Sequence, residues 1–207
     1  MKTPIDVGAL RLIAITDDLR DGVEGLVARA AAAARGGATM VQLRLKDADA
    51  RTMVEVARAM VRALPVPVVV NDRVDVAIAA GAAGVHVGHE DLPVAAVRRI
   101  VPAGFIIGGS VGGDEDVSNA SDADYVGIGP VFDTTSKLDA GAPIGLGELT
   151  RLARICQRPA VAIGGIDARN AGEVMAAGAA GVAVIRAVMS APDPERAARQ
   201  IRSATGT

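Results

Sequence analysis

The sequence predicts a (β/α)8 barrel, the TIM-barrel architecture, and three observations support this prediction. Eight short, nearly continuous apolar runs follow one another along the chain, as is typical of parallel strands covered on both faces. Ala-rich amphipathic stretches separate the runs, and this alternation indicates βαβ units. A weak internal repeat favours closure of the sheet. The 207 residues suit one domain near the lower size limit of this fold.

The runs give the eight predicted strands in chain order. They are Arg11–Thr16, Thr39–Arg44, Val66–Asn71, Gly84–Gly88, Phe105–Ser110, Asp124–Gly129, Ala160–Gly164 and Gly181–Ile185. Thr52–Leu64, with Arg and Glu on one side, is an example of the predicted helices between them. We assign residues 1–207 to a single domain whose barrel core spans about residues 11–204.

The internal repeat joins helix ends to strands. The motif Ala-Ala-Gly-Ala-Ala-Gly-Val occurs at Ala79–Val85 and Ala176–Val182, and a degraded copy lies at Gly36–Val41. The copies precede strands two, four and eight, which fits a barrel whose interior layers come from alternate strands. Ala-Gly joints are also common in any Ala-rich chain, and an open doubly wound sheet is the alternative fold.

Composition excludes several classes of function. The net charge is -2 and the aromatic residues are only Phe105, Tyr125 and Phe132, which argues against a nucleic-acid partner. The longest charge-free stretches are shorter than the roughly 18 apolar residues of a membrane span. The single cysteine, Cys156, forms no internal disulfide. Together with the lack of a secretion signal, it predicts a cytoplasmic location.

Active sites of such barrels lie at the carboxyl ends of the strands. After strand two, alternation in an extended segment places Gln42, Arg44 and Lys46 on one face. Two cations and an amide suit an anionic ligand. A strand end with solvated charges explains the same residues equally well.

Asp72 and Asp91 follow neighbouring strands three and four. Each aspartate alone is better explained as a helix N-cap, because a helix is predicted just after it. As a pair beside a diphosphate, they are suited to hold Mg²⁺, which takes oxygen ligands and keeps waters and phosphate oxygens.

Strands five and six lead into further candidate residues. Ser110 ends strand five inside a glycine cluster, where the missing side chains let backbone amides approach a ligand. The loop after strand six carries Thr134, Ser136 and Lys137, donors that suit diphosphate oxygens. A flexible hydrophilic loop is the alternative interpretation.

Strands seven and eight lead to Gly165, Ile185 and Arg186. The loops there commonly bind a phosphate through backbone amides, so we expect a second phosphate site. His86, within strand four, is expected to be a packed or hydrogen-bonded barrel residue. His89 lies nearer the barrel mouth, which is the opening at the carboxyl ends of the strands.

An ordered set of segments resembles one known family. The segments QLRLK, VNDRVDVA, GVHVGHED, IGGSVG, YVGIGPVFDTTSK, VAIGGI and GVAVI occur in the order and at the spacings of thiamine phosphate synthases. The resemblance runs from about Leu12 to Ile201. It implies a barrel enzyme that joins hydroxymethylpyrimidine diphosphate to hydroxyethylthiazole phosphate and releases diphosphate.

The resemblance also implies roles for individual residues. Asp72 and Asp91 would hold Mg²⁺, and Gly165 and Ile185 would offer backbone amides to the thiazole phosphate. Contacts to the pyrimidine or its diphosphate would come from Gln42, Arg44, Lys46, Asn71, Ser110, Thr134, Ser136 and Lys137. We expect Arg44, Lys46, Ser110 and Lys137 to be catalytic, since stabilising charge on the leaving group is usually the largest catalytic effect.

Some positions depart from the family pattern. Asp133 stands in place of a proline, His89 in place of a glutamine and Arg186 in place of a serine. An arginine at position 186 can strengthen phosphate binding or crowd it.

Two alternative functions remain at this point. The first is a thiazole tautomerase-like isomerase, which needs neither Mg²⁺ nor diphosphate donors. The second is a non-catalytic barrel that binds phosphate ligands. In each case the partners are small molecules, with no nucleic acid and no membrane, and the sequence leaves open whether the chain forms a homo-oligomer.

Overall fold

A computed structural model of the chain describes residues 5–134 and 141–206. Its centre is a closed, fully parallel barrel of eight strands in sequential order. The strands are β1 Leu12–Ile15, β2 Met40–Leu43, β3 Val68–Asn71, β4 Gly84–Val87, β5 Ile106–Val111, β6 Tyr125–Ile128, β7 Ala160–Ile163 and β8 Gly181–Val184. The predicted fold class is confirmed and the open-sheet alternative is wrong. Each predicted run holds one strand, except that β5 extends one residue beyond the predicted end, Ser110, to Val111.

Helices surround the barrel. They are α1 Gly22–Arg35, α2 Ala50–Ala63, α3 Val74–Ala80, α4 Val94–Ile100, α5 Asp114–Val117, α6 Gly145–Cys156, α7 Ala171–Ala176, α8 Arg186–Met189 and α9 Pro194–Ala204. Two 3-10 helices, Val7–Leu10 and Asn119–Asp122, complete the described helical segments. Helix α2 begins two residues before the predicted Thr52, because the Asp49 carboxylate accepts the Thr52 N–H at 2.9 Å as an N-cap.

Strands alternate their side chains between two cores. Outward-facing residues such as Ala14 and Leu43 pack in a large aliphatic layer against the helices. The barrel interior is a separate cluster formed by Leu10, Ile13, Ile15, Met40, Val69, Tyr125, Val161 and Ala183. Since Leu10 belongs to the 3-10 helix before β1, that helix fills the amino end of the barrel and leaves the carboxyl end for ligands.

The repeated glycines have a steric reason. Gly81 ends α3 in the left-handed conformation with φ 69°, as the repeat predicts. Gly84 and Gly181 begin strands, and a Cβ atom at either would overlap the backbone of a neighbouring segment, Ile106 or Leu10. The repeat therefore marks places where neighbouring backbones come too close for a side chain.

Within the described ranges, no helix is both long enough and apolar enough to span a bilayer.

Candidate active site

Strand β2 sends its polar side chains to the barrel interior. Gln42 is 4% exposed, Arg44 is half-buried and Lys46, beyond the strand end, is exposed. Leu45 packs in the outer layer, as alternation requires. Thr16 fixes the Arg44 backbone on both sides: its Oγ1 accepts the Arg44 N–H at 2.8 Å and donates to the Arg44 carbonyl at 3.0 Å. The guanidinium therefore extends from a rigid point.

A polar network crosses the barrel below the mouth. His86 Nδ1 lies 3.1 Å from Tyr125 Oη, and its Nε2 lies 3.1 Å from Ser110 Oγ. Burial raises the pKa of Tyr125 well above its usual value, and a hydrogen bond with the Gln42 side chain partly opposes that shift. His86 is thus the hydrogen-bonded barrel residue that the sequence predicts. The sequence did not identify Tyr125 as a hydrogen-bond partner of His86, because no local pattern shows which side chains meet inside the barrel.

Two glycines make room for this network. A Cβ atom on Gly108 would overlap His86 Nδ1 and the Tyr125 ring and would lie 2.6 Å from Tyr125 Oη. A Cβ atom on Gly127 would lie 3.0 Å from His86 Cε1. The sequence interpretation gave the cluster around Ser110 a role in backbone approach to a ligand. For Gly108 the structure corrects this, because the space is filled by the two rings.

Asp72 is held in an unusual conformation at the end of β3. It has a φ of 62°, in the left-handed region that side chains other than Gly, Asn and Asp rarely enter. Its N–H donates to the His86 carbonyl on β4 at 2.7 Å, which continues the pairing of Asn71 with His86. Neighbouring strands β3 and β4 thus fix the backbone of Asp72.

Neither aspartate is a helix N-cap. The N-caps of α3 and α4 are Arg73 and Pro93, so that alternative is wrong for both. Asp91 instead accepts the Gly88 N–H through Oδ2 at 2.7 Å and closes the turn after β4. A carboxylate accepts several hydrogen bonds or a metal through its two oxygens, so this contact leaves Asp91 able to bind a cation.

The carboxylates of Asp72 and Asp91 suit one kind of metal site. Among the described residues there is no group of three or more His, Cys, Asp or Glu side chains that could hold an ion. Two hard carboxylates, Asp72 and Asp91, follow adjacent strands. Two such ligands suit Mg²⁺, which keeps several waters and binds substrate phosphates, whereas a closed protein cage would need more.

The loops after β6 and β7 lie against each other. Backbone hydrogen bonds of 2.8 and 3.1 Å join residues 131–132 to residues 163–164. Gly165 has a φ of 64°, and a Cβ atom there would lie 2.5 Å from the Asp133 carbonyl oxygen. This close approach places half-buried Thr134 on a segment held by β7. Ser136 and Lys137, also predicted for this loop, lie outside the described residues.

Asn170 braces the loop after β7. Its amide nitrogen donates to the Gly165 carbonyl at 2.9 Å, and its amide oxygen accepts the Asp167 N–H at 2.9 Å. A hydrogen bond from Arg169 lowers the pKa of Asp167. Sequence reasoning missed Asn170, although a polar residue three positions after Asp167 at a helix start is a recognisable turn signal.

The loop after β8 is tied to the loop after β1. Ile185 is the N-cap residue of α8, and Arg186 is the exposed first residue of that helix. Ser190 donates to Asp17 Oδ2 at 3.1 Å, and Arg29 donates to Asp17 Oδ1 at 3.2 Å. Asp17 and Arg29 were not singled out from the sequence, since their partners are distant along the chain.

Comparisons with known proteins give a consistent family. The family model described as thiamine monophosphate synthase matches residues 12–188. The thiamine-phosphate synthase of Roseiflexus castenholzii is 48% identical over 203 residues, covering 96% of this chain and 89% of that protein.

Solved structures agree with this match. The thiamine phosphate pyrophosphorylase structure from Pyrococcus furiosus has a TM-score of 0.84 and 41% identity and covers 96% of each chain. A 3-hexulose-6-phosphate synthase, at 21% identity and TM-score 0.70, shares the fold alone.

Proposed function

The chain belongs to the thiamine monophosphate synthase family, and from that premise we propose that its barrel mouth joins hydroxymethylpyrimidine diphosphate to hydroxyethylthiazole phosphate. The products are thiamine phosphate and diphosphate, so the enzyme is a transferase of a pyrimidinylmethyl group. The observation that carries this proposal is the family match over residues 12–188, which includes all eight strands and the loops that follow them.

The reaction proceeds by dissociation before capture. The C–O bond to diphosphate breaks first and its electron pair leaves with the diphosphate, which produces a carbocation stabilised by the pyrimidine ring. The thiazole nitrogen then donates its lone pair to that carbon and forms the C–N bond. This sequence requires no protein nucleophile. The protein has to stabilise negative charge on the leaving group, usually the largest contribution to catalysis.

The cations of the mouth supply that stabilisation. Arg44, held by Thr16 at its backbone, and exposed Lys46 present two positive charges after β2. Thr134 and Ser136 donate to the diphosphate oxygens, and Lys137 adds a third positive charge. Ser136 and Lys137 enter this proposal from the family resemblance, because they lie outside the described residues.

Asp72 and Asp91 would hold Mg²⁺, which supplies positive charge to the diphosphate oxygens when bound. Their arrangement supports this assignment, since Asp72 and Asp91 follow the adjacent strands β3 and β4, and Arg44 follows β2, which pairs with β3. Gln42, Asn71 and Ser110 bind the pyrimidine below the diphosphate, where the half-buried and buried surroundings limit access of water to the carbocation.

Gly165 and Ile185 bind the thiazole phosphate through backbone amides, and Arg186 adds a guanidinium to that subsite. Support comes from the braced loops: Asn170 fixes the Gly165 carbonyl, and Asp17 fixes the far end of α8 through Ser190. A cytoplasmic location stays a prediction.

The decisive experiment is an assay of thiamine phosphate formation from the two purified substrates, with Mg²⁺ and with excess chelator. It includes Asp91→Ala and a matched control, Glu55→Ala, which removes an exposed carboxylate on α2. We expect metal-dependent product, a fall of roughly 10²–10³-fold in Asp91→Ala, by analogy with lost transition-state donors, and no change in the control.

Two results would contradict the proposal at different levels. Product in the presence of chelator, or an active Asp91→Ala enzyme, would remove the metal assignment alone. No product from the wild-type chain beside an active reference synthase would remove the transfer reaction itself, and thiazole isomerisation would then be tested.

A further inference from the structure

Strands β1 and β2 stop pairing just before the barrel mouth. Their regular register ends with Ile15 opposite Gln42, and one more ladder bond runs from the Thr16 N–H to the Gln42 carbonyl at 2.9 Å. Arg44 is the next residue whose backbone would face β1 in a regular parallel ladder, but it lies beyond the end of β2 at Leu43. Its backbone therefore has to be held in another way.

The Thr16 side chain takes the place of the missing ladder bond. Its hydroxyl accepts the Arg44 N–H at 2.8 Å and donates to the Arg44 carbonyl at 3.0 Å. In an extended residue the N–H and the carbonyl point to the same side, so one hydroxyl reaches both while Arg44 stays extended. An extended Arg44 keeps its side chain on the same face as Gln42, toward the barrel interior.

The Thr16 hydroxyl is committed to these two bonds. A hydroxyl has one proton to donate, and the Arg44 carbonyl takes it. Thr16 is also 0% exposed, so its side chain does not reach a ligand in the mouth. Any effect of Thr16 on a ligand is therefore exerted through the residue that it holds.

We propose that Thr16 is a positioning residue that orients the Arg44 guanidinium toward the diphosphate of the pyrimidine substrate. This rests on the proposed function, which places Arg44 against the leaving diphosphate. Without the hydroxyl, the Arg44 backbone is released from its extended conformation, and the guanidinium at the end of a long side chain moves away from the leaving group. A misplacement of about 1 Å can cost about 10²-fold in rate.

A similar contact at the other end of the same two strands provides a matched control. Thr39, just before β2, accepts the Leu12 N–H at 3.0 Å. Its hydroxyl also lies 3.1 Å from the Leu12 carbonyl and 3.0 Å from the Ala9 carbonyl, which compete for its single proton. Thr39→Val and Thr16→Val thus remove the same kind of bridge between β1 and β2, but Thr39 lies at the amino end, away from the mouth.

The first test measures kcat/KM for hydroxymethylpyrimidine diphosphate, with Mg²⁺ and saturating thiazole phosphate. We expect a fall of roughly 10–100-fold in Thr16→Val and of less than about twofold in Thr39→Val. Thr16→Ser, which keeps the hydroxyl, should recover activity to within about threefold of the wild type. Both valine variants should lose a similar amount of thermal stability, about 5 °C in Tm, because each leaves backbone groups unpaired.

Three outcomes of this test overturn the positioning role. They are a Thr16→Val enzyme within twofold of the wild type, equal losses of activity in the two valine variants, and no recovery in Thr16→Ser. If Thr16→Val does not fold, Thr16→Cys replaces it in the same comparisons, because a thiol is only a weak donor and acceptor.

A double-variant cycle shows whether Thr16 acts through Arg44. Effects of independent sites multiply, whereas effects of residues that act as one unit do not. In an Arg44→Gln enzyme, Thr16→Val should cost less than about twofold in kcat/KM, because the guanidinium that it orients is gone. A loss as large as in the wild-type background contradicts the proposal.

The wild-type chain separates this inference from the proposed function. An active wild type with an unaffected Thr16→Val variant contradicts the positioning role alone. A wild type that forms no thiamine phosphate contradicts the proposed function, and calorimetry with inorganic diphosphate and Mg²⁺ then tests Thr16 by itself. Binding about tenfold weaker in Thr16→Val supports the positioning of Arg44. Equal binding overturns it, and no binding by the wild type contradicts both.

Discussion

Gly108→Ala is expected to destabilise the barrel more than an ordinary Gly→Ala change, because the added methyl group has no free space. Its Cβ would overlap His86 Nδ1 and the Tyr125 ring and would lie 2.6 Å from Tyr125 Oη. Overpacking of a core costs roughly 1–3 kcal/mol. Separating the rings also leaves a buried hydroxyl without its partner, which costs about 1–3 kcal/mol. The free energy of unfolding should therefore fall by roughly 2–6 kcal/mol.

Thermal unfolding followed by circular dichroism measures this effect. For a chain of this size 1 kcal/mol corresponds to about 2–4 °C, so Tm should fall by about 4 °C or more. Gly127→Ala should show a smaller loss, because its Cβ would only approach His86 Cε1 at 3.0 Å. Gly147→Ala, in α6 with nothing within 4 Å, should raise stability by about 0.5–1 kcal/mol. A Gly108→Ala chain that melts within 1 °C of the wild type would refute the packing of the two rings across β5.

Two further predictions concern α6. Cys156 is 8% exposed and burial raises the pKa of its thiol, so at pH 8 it should react with Ellman's reagent at least about tenfold more slowly in the native chain than in urea. Equal rates would show that this helix end opens readily. Gln157 follows α6 with a φ of 52°, a strained value for a side chain, and Gln157→Gly should raise the free energy of unfolding by roughly 0.5–1 kcal/mol in urea titrations. A loss of stability would indicate that the glutamine side chain makes a compensating contact.

The strands were predictable because their signal is local. Each buried parallel strand needs apolar residues on both faces, so the runs from Leu12 to Val184 stand out in the sequence without any knowledge of their neighbours. The helices of the segment after β5 were harder to predict from the sequence. Its described helices, Asp114–Val117 and Asn119–Asp122, are too short to show a helical period.

The mouth was only partly predictable, for a related reason. Alternation along β2 and the extended residues just after it correctly separates Gln42 and Arg44 from Leu45, because that pattern is local in the sequence. The His86–Tyr125 pair depends on the register of three strands and on a glycine between them, which no local pattern encodes. The N-cap alternative for Asp72 was wrong for another reason: Asp72 takes a left-handed φ, and Arg73 becomes the N-cap of α3.

Because the barrel is closed, its sheet has no edge strand at which the chain has to begin or end. β1 pairs with β8 as regularly as any two consecutive strands pair, and α9 packs beside α1. Gly206 lies close to Arg11, with its Cβ position 3.9 Å from the guanidinium. A circularly permuted chain, with a linker between its present ends and opened at exposed Pro65 between α2 and β3, would keep every strand neighbour. The order of the strand–helix units around the barrel therefore specifies this site, independently of which unit comes first in the chain.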